Sequence, residues 1–509
     1  MGYPNWTMLL DRALCARARK TRDPRFDGRF FIGVMSTRIY CRPICPARSP
    51  KEENIRYFPS AAAASAAGLR PCLRCRPEAS PGTSAWLGTS ATVSRALRLI
   101  GESALEDGGV EPLAERLGVG ARHLRRLFLK HLGASPIAVA QTRRLHFAKK
   151  LIDETSLPMR DIALASGFGS IRRFNDTFSK TYHRAPTHLR HLAHQAPTQE
   201  KHEYEFLLRF RPPFNWEALL EFLGPRATPG IEVIEGPKYR RIISLHGHVG
   251  WFEAAFRGAS DALAVRIHFP EARWLFLIIE RVRRMFDLMA DPNEIAAWLS
   301  RDPLLASRVK QRPGLRVPGC WDGFELAVRA ILGQQVSVRG ATTLAGRLVR
   351  RFGTAVEAAP GLTHLFPTPE RMADADLACI GIPKARAFAL QSLSRGVRDG
   401  KITFAGVVNV EEFAERFCDL PGIGDWTTQY VAMRALNEPD GFPASDLGLL
   451  RALNIRDPRR LAAMSQAWRP WRAYAAMYLW QTSGHATQDR LKLLLPAEKA
   501  VPALASVAT

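Results

Sequence analysis

"LPGIGDWTTQYVAMRAL" (residues 420–436) decides how the last third of this chain folds. A proline and two glycines two apart make a tight turn. The periodic run that follows, from Trp426 to Leu436, predicts a helix directly after it. Glycine lets the backbone approach a ligand with no Cβ in the way. Peptide N–H groups at the start of the next helix point outward and suit an anion such as a phosphate. An ordinary turn between packed helices has the same composition, so the hairpin alone leaves both readings open. Twenty residues beyond Trp426 comes Asp446, in "FPASDLGLLRAL" (442–453). An acid there is either a helix cap or a carboxylate placed for chemistry.

The flanks narrow the choice. "FELAVRAILGQQVSVRGATTLAGRL" (324–348) precedes the hairpin, "WRPWRAYAAMYLWQTSG" (468–484) follows it, and "RPPFNWEALLEFL" (211–223) stands far upstream. Together, residues 206–484 resemble the AlkA-type DNA-3-methyladenine glycosylases of the helix-hairpin-helix superfamily. The resemblance implies that Asp446 drives cleavage of the N-glycosidic bond by stabilising positive charge on the sugar. No second acid is required, because an alkylated base is cationic and leaves readily. It further implies a nucleotide rotated out of the duplex. Gln335 would fill the gap, at a position where the family usually carries an apolar residue. Phe222, Trp426, Tyr430 and Trp480 would line the base pocket, their ring faces favouring a cationic base. Gly422 and Gly424 would hold the phosphate of the damaged strand, and a monovalent cation at the hairpin is a further candidate ligand. Asp425 receives no catalytic part.

Outward toward the N-terminus, four of the eight cysteines form two close pairs, Cys41/Cys45 and Cys72/Cys75. Two short pairs bring four thiolates to one point, which suits one tetrahedral Zn²⁺. Spacing alone leaves open whether such a site is structural or holds a nucleophile, since zinc keeps a thiol deprotonated at neutral pH. Cys15, Cys320, Cys379 and Cys418 are scattered and read as buried or incidental thiols. Residues 30–78, with their "YCRPIC" and "RPCLRC" cores, resemble the N-terminal domain of the Ada-type adaptive-response regulators. That likeness implies repair of methyl phosphotriesters, with Cys41 as the irreversible methyl acceptor. Methylation would remove one negative charge from the cluster and raise affinity for DNA phosphate. The second, Pro-Cys-His-Arg methyl-acceptor motif common in such regulators does not occur here.

Between these regions, "VEPLAERLGVGARHLRRLFLKHLG" (110–133) reads as helix, short turn, helix. Leu113, Leu117, Leu124, Leu127 and Phe128 form its apolar stripe, and Arg122, Arg125 and Arg126 lie on the second helix. A second copy, "MRDIALASGFGSIRRFNDTFSKTYHRAPTHLR" (159–190), buries Ile162, Ala163, Phe168, Phe174 and Phe178 and opens its second helix with Ser170, Arg172 and Arg173. One such pattern is weak, because any helical hairpin mimics it, whereas two with arginine-rich second helices resemble the AraC-type DNA-binding domain.

The chain has 509 residues and a net charge of +24. Residues 1–200 carry 32 Lys and Arg against 16 Asp and Glu. Such a field attracts polyanions. No apolar run is long enough to span a membrane, and the N-terminus lacks a secretory pattern. The expected fold is multidomain and mainly α with α+β parts. It comprises a small zinc-binding α/β domain (1–80), an all-α double helix-turn-helix domain (91–192), an α+β domain (204–317) and an all-α helix-hairpin-helix domain (318–492). Linkers are expected at 76–90 and 191–206, with a loose tail after 492. The expected function is a DNA-alkylation repair and response protein: a monofunctional glycosylase joined to a zinc-thiolate methyl acceptor and transcription regulator. The alternatives are primarily a methylation-activated regulator, or a glycosylase whose front half is a structural zinc module and DNA tether. Double-stranded DNA, damaged and promoter, is the expected partner, RNA polymerase a further candidate, and a cytoplasmic, nucleoid-associated bacterial monomer the expected state.

Overall fold

The computed structural model describes residues 11–81, 91–101, 109–192, 202–404 and 410–483. Both the tail expected to be loose and most of the two expected linkers lie outside these residues.

The cysteine pairs sit on a small four-stranded sheet, ordered Ile55–Phe58, Phe31–Val34, Ile39–Cys41 and Arg70–Pro71. The first two neighbouring pairs are antiparallel, and the last is parallel. That last pairing sets Tyr40 opposite Pro71 and so brings the two cysteine segments together. Part of the stretch expected to be a linker is packed structure. Glu78 is buried, and its carboxylate faces Arg76 and Lys149. Burying a charge requires a partner, and these two cations supply it.

Two helical pairs follow, Val110–Arg116 with Ala121–Leu132, and Met159–Ala165 with Ile171–Tyr182. The helix Pro136–Glu154 joins them. Its N-cap Ser135 accepts from Ala138 N at 3.2 Å, and its first turn opens with a proline that has no N–H to waste. Leu113, Leu124, Phe128, Ile162, Phe174 and Phe178 are fully buried, while Leu127 and Phe168 are partly so. Removing either ring of Phe174 or Phe178 costs about 3–5 kcal/mol.

The next unit is a five-stranded antiparallel sheet, ordered Glu203–Arg209, Ala262–His268, His248–Arg257, Lys238–Leu245 and Glu232–Glu235. Its first strand begins inside the segment expected to be the second linker. Helices then dominate, with one departure from the all-α expectation for 318–492. Thr354–Ala359 and Leu362–Leu365 form a β-hairpin. Leu362 is buried with Ile231, Ile242 and Val349, so this hairpin seals an apolar face of the sheet.

One hydrophobic cluster runs from Leu145 and Phe174 through Tyr204, Phe252 and Phe286 to Trp468 and Leu479. The front and back of the chain therefore share a core. A second cluster, including Leu332, Leu390, Phe417, Ile423 and Val431, holds the hairpin of the opening stretch.

Candidate functional site

The quoted hairpin joins helices Val410–Cys418 and Asp425–Ala435. Its two glycines differ. Gly422 has φ +75°, and a Cβ there would meet Ala389 Cβ at 3.0 Å. Gly424 is the N-cap of the second helix with extended backbone, and nothing lies within 4 Å of a Cβ added to it. Gly422 is thus required by the turn, whereas at Gly424 the missing side chain keeps a surface open. Asp425 is exposed at the first turn of the helix, where an acid favours the dipole. Gln334, which the sequence did not single out, donates its amide to Gly422 O and to Thr427 Oγ1, each at 3.0 Å. Arg386 in turn donates to Gln334 O at 2.6 Å.

Beside the hairpin lies a cavity of about 1060 Å³. Phe222, Trp426, Tyr430, Trp480, Gln335 and Asp446 all line it. Asp446 is the N-cap of the helix Leu447–Ala452, and Oδ1 accepts from Leu449 N at 3.0 Å. It is also clasped by two indoles: Trp480 Nε1 donates to Oδ1 at 2.8 Å and Trp426 Nε1 to Oδ2 at 2.9 Å. The helix-cap reading of this acid holds, and the same carboxylate faces the cavity. A carboxylate offers about four acceptor positions. The three bonds to Leu449, Trp480 and Trp426 hold this one at the cavity wall.

The aromatic lining is continuous. Trp426 stacks on Tyr430 with centroids 5.3 Å apart, Tyr430 meets Trp480 edge-on at 6.3 Å, and Trp480 meets Phe222 at 6.0 Å. The expectation that these faces await a cation needs amending, because the protein supplies cations of its own. Arg226 lies 3.9 Å from the Phe222 centroid, and Arg434 lies 5.1 Å from Phe222 and 5.5 Å from Tyr430. Arg434 also donates to the Tyr430 hydroxyl at 2.8 Å. Burial alone would push the Tyr430 phenol up, but Arg434, Arg226 and Arg329 together pull it below its ordinary value. Burial pushes Arg226 and Arg329 down. The spacing that could have revealed these arginines is helical: Phe222 and Arg226 are four apart, as are Trp426, Tyr430 and Arg434.

Gln335 is exposed at φ +56°, at the tip of the loop between helices Gly323–Leu332 and Val338–Phe352. A non-glycine residue held there is strained backbone of the kind that collects at functional sites. Exposed Val336 follows it, and the 64% exposed Leu447 follows Asp446.

In the front half, the Sγ atoms of Cys41, Cys45, Cys72 and Cys75 all lie within 4.8 Å of one another. Four sulfurs on bonds of about 2.3 Å around one Zn²⁺ suit this spacing. Cys72 and Cys75 are buried, and Cys41 and Cys45 are half-buried. Arg42 N donates to Cys75 Sγ at 3.3 Å, while its guanidinium binds Asp27 and the Cys75 carbonyl. Mutual contact splits the thiols: hydrogen bonding with Cys41 pulls Cys45 and Cys72 down, and contact with Cys45 pushes Cys41 up. Such crowding favours a bound cation that draws all four toward thiolate.

On the helical pairs, Arg122, Arg125, Arg126, Arg172 and Arg173 are exposed. Arg125 is held by Glu111 at 2.6 Å. Ser170 caps its helix by accepting from Arg173 N at 3.2 Å, so that hydroxyl has a structural task. Among the described residues no helix is long and apolar enough to cross a membrane.

Comparison with known proteins matches residues 14–78 to the metal binding domain of Ada and 113–191 to a helix-turn-helix domain. It matches 205–322 to the AlkA N-terminal domain and 328–467 to the HhH-GPD superfamily of base excision DNA repair proteins. A probable bifunctional transcriptional activator/DNA repair enzyme AlkA of Mycobacterium tuberculosis is 40% identical over 479 residues, covering 92% of this chain and 96% of its own. DNA-3-methyladenine glycosylase 2 of Escherichia coli is 32% identical over 286 residues, 55% of this chain and 98% of its own. Bifunctional transcriptional activator/DNA repair enzyme Ada of the same organism is 37% identical over 123 residues, 24% of this chain and 33% of its own. With its cysteine cluster, paired helix-turn-helix units and hairpin-flanked carboxylate in one polypeptide, the chain belongs to the family of bifunctional transcriptional activator/DNA repair enzymes that join an Ada-type front half to an AlkA-type glycosylase.

Proposed function

We propose that Asp446 is the carboxylate that hydrolyses the N-glycosidic bond of alkylated bases, 3-methyladenine among them, and that Cys41 accepts the methyl group of a DNA phosphotriester. The observation that carries the first assignment is the pair of indole N–H groups that fix Asp446 at the wall of an aromatic pocket, with the open surface of Gly424 on the same cavity. A flipped nucleotide places its sugar against the Asp446 carboxylate. As the C1′–N bond breaks, positive charge grows on the sugar, and the fixed carboxylate stabilises it without reorganising. The carboxylate then takes a proton from the water that adds to C1′. Gly422 and Gly424 present the following helix N-terminus to the backbone phosphate, and Gln335 enters the gap in the duplex.

Asn is as good a helix cap as Asp, so Asp446→Asn keeps the helix start while removing the charge and one of the two acceptors of the indole N–H groups. Base release from methylated duplex is expected to fall at least about 100-fold in this variant. Retained release overturns the assignment.

At the other centre, the Cys41 sulfur attacks the methyl carbon. The S–C bond forms, the C–O bond breaks, and the electron pair leaves on the phosphate oxygen. Bound zinc keeps the four thiols ionised at neutral pH. Cys41 is a half-buried member of the four, where a methyl group can reach it, and Arg42 shields Cys75. Methylphosphotriester DNA is expected to leave S-methylcysteine at Cys41, detected by mass spectrometry, and none in Cys41→Ala. No label at Cys41 favours the alternative of a structural zinc and DNA tether. The exposed Arg122, Arg126, Arg172 and Arg173 support promoter reading by the paired helices, and Ser170 and Arg125 complete that face. The described units support boundaries near 1–80, 91–192, 204–317 and 318–492. Cytoplasmic monomers gathered on the nucleoid, RNA polymerase as a partner at promoters and a monovalent cation at the hairpin complete the reading.

A further inference from the structure

The helix Asp425–Ala435 acts as a ruler along the cavity. Trp426, Tyr430 and Arg434 share one face at steps of four, and eight residues of helix span about 12 Å. Asp446 is bonded to the Trp426 end. At the far end Arg434 is anchored by donating Nε to Pro318 O at 2.8 Å and Nη2 to Gly319 O at 3.2 Å. A purine whose glycosidic nitrogen lies against Asp446 and whose long axis follows this helix points its opposite edge, around C6, toward Tyr430 and Arg434.

That end of the cavity is rich in donors. Arg434 Nη1 donates to the Tyr430 oxygen, which orients the phenol proton away from the guanidinium and leaves it to be given elsewhere. Arg226 flanks the same ring system and donates to Phe222 O at 2.8 Å. Five arginines and four carboxylates line the cavity, and two of the carboxylates, Glu232 and Glu325, are paired with Arg241. The site is not an acidic trap for cations. Positive charge alone therefore does not explain which base it prefers.

We propose that the Tyr430 hydroxyl, set by Arg434, is a specificity-determining donor that favours bases carrying a carbonyl oxygen at the edge remote from the glycosidic bond over bases carrying an amine there. A carbonyl accepts the phenol proton. An amine at that place meets a donor with a donor, and a buried polar group left unmatched is costly. This inference rests on Asp446 as the catalytic carboxylate and names the lesion chemistry the same pocket prefers. The lowered phenol pKa agrees with it, since a phenol made more acidic is a stronger hydrogen-bond donor.

Methylated duplex DNA supplies the test in one substrate. It contains 7-methylguanine and 3-methyladenine, both cationic N-methyl purines, the first with a carbonyl at C6 and the second with an amine. Release of the two bases by the full-length protein is quantified side by side under single turnover. Tyr430→Phe keeps the ring and its stacking and removes the hydroxyl, both as a donor to the base and as the acceptor of Arg434 Nη1. Arg434→Lys keeps the charge and removes the fork that orients the phenol. The ratio of 7-methylguanine to 3-methyladenine release is expected to fall about tenfold in Tyr430→Phe and to fall in Arg434→Lys. A ratio unchanged in both variants, whether or not total release drops, overturns this inference and leaves the Asp446 assignment intact. A wild-type protein that releases neither base overturns the Asp446 assignment, and this inference with it.

Discussion

His146 projects from the helix Pro136–Glu154 toward Tyr40, the residue before the first zinc cysteine, with Nε2 2.8 Å from the Tyr40 hydroxyl. Burial pushes its pKa down from 6.5 to about 4. The unfolded chain therefore takes up a proton near pH 6.5 that the folded chain refuses. Stability from this residue is full above pH 6.5 and is lost as pH falls toward 4, by about 2 kcal/mol at pH 5. In His146→Gln, which has no proton to gain, the drop in melting temperature from pH 7 to pH 5 is expected to shrink by roughly 4–8 °C. An equal drop in both proteins would show that the imidazole is not the titrating group. At this scale the sequence was informative where chemistry is written in residue type, as at Asp446 and the four cysteines. Gln334, Arg226 and Arg434 escaped it because a glutamine or arginine on a helix reads as surface. Only folding shows that Gln334 ties the loop to the hairpin and that two arginines face a ring.

The hairpin carries its own prediction, since its glycines are there for different reasons. Gly422→Ala forces an alanine to φ +75° against Ala389 and is expected to lower stability by about 1–2 kcal/mol. Gly424→Ala meets no protein atom within 4 Å and is expected to melt like wild type. Its affinity for duplex DNA containing an abasic site is expected to drop about tenfold, because the new methyl occupies the space the phosphate needs. Wild-type affinity in Gly424→Ala would remove the hairpin from the DNA interface. The sequence announced the turn and the following helix. It did not separate the two glycines, because φ is a property of the fold. The β-hairpin Thr354–Leu365 was also silent, since "TAVEAAPGLTHL" (354–365) is short and alanine-rich and gains its order by packing on the sheet.

Across the whole molecule, the front half is built into the glycosylase. Phe174, Phe178 and Leu189 share a core with Tyr204 and Phe206. Lys150 donates to Leu207 O at 2.8 Å, on the outermost strand of the five-stranded sheet. Arg29, from the zinc-bearing part, reaches buried Asp291 at 3.2 Å and Glu294 at 3.6 Å. A chain truncated to begin at residue 202 bares both that apolar face and that strand edge. It is expected to melt below the full chain and to scatter light on standing, as unprotected edges associate. A truncated chain as stable and as soluble as the whole would mean that the shared core contributes nothing. Each unit was legible from its own motif, yet the contacts between units were not, because residues 145–178 look like any amphipathic helical run until their partner is known.

The outermost strand, Glu203–Arg209, bears on how such proteins can recombine. The segment just before it looks like a natural crossover point, yet an exchange there would hand the strand a stranger's helix in place of Pro136–Glu154 and its Lys150. Hybrids that survive shuffling with a distant homologue should therefore carry their crossovers upstream of residue 136, so that the covering helix and the strand are inherited together.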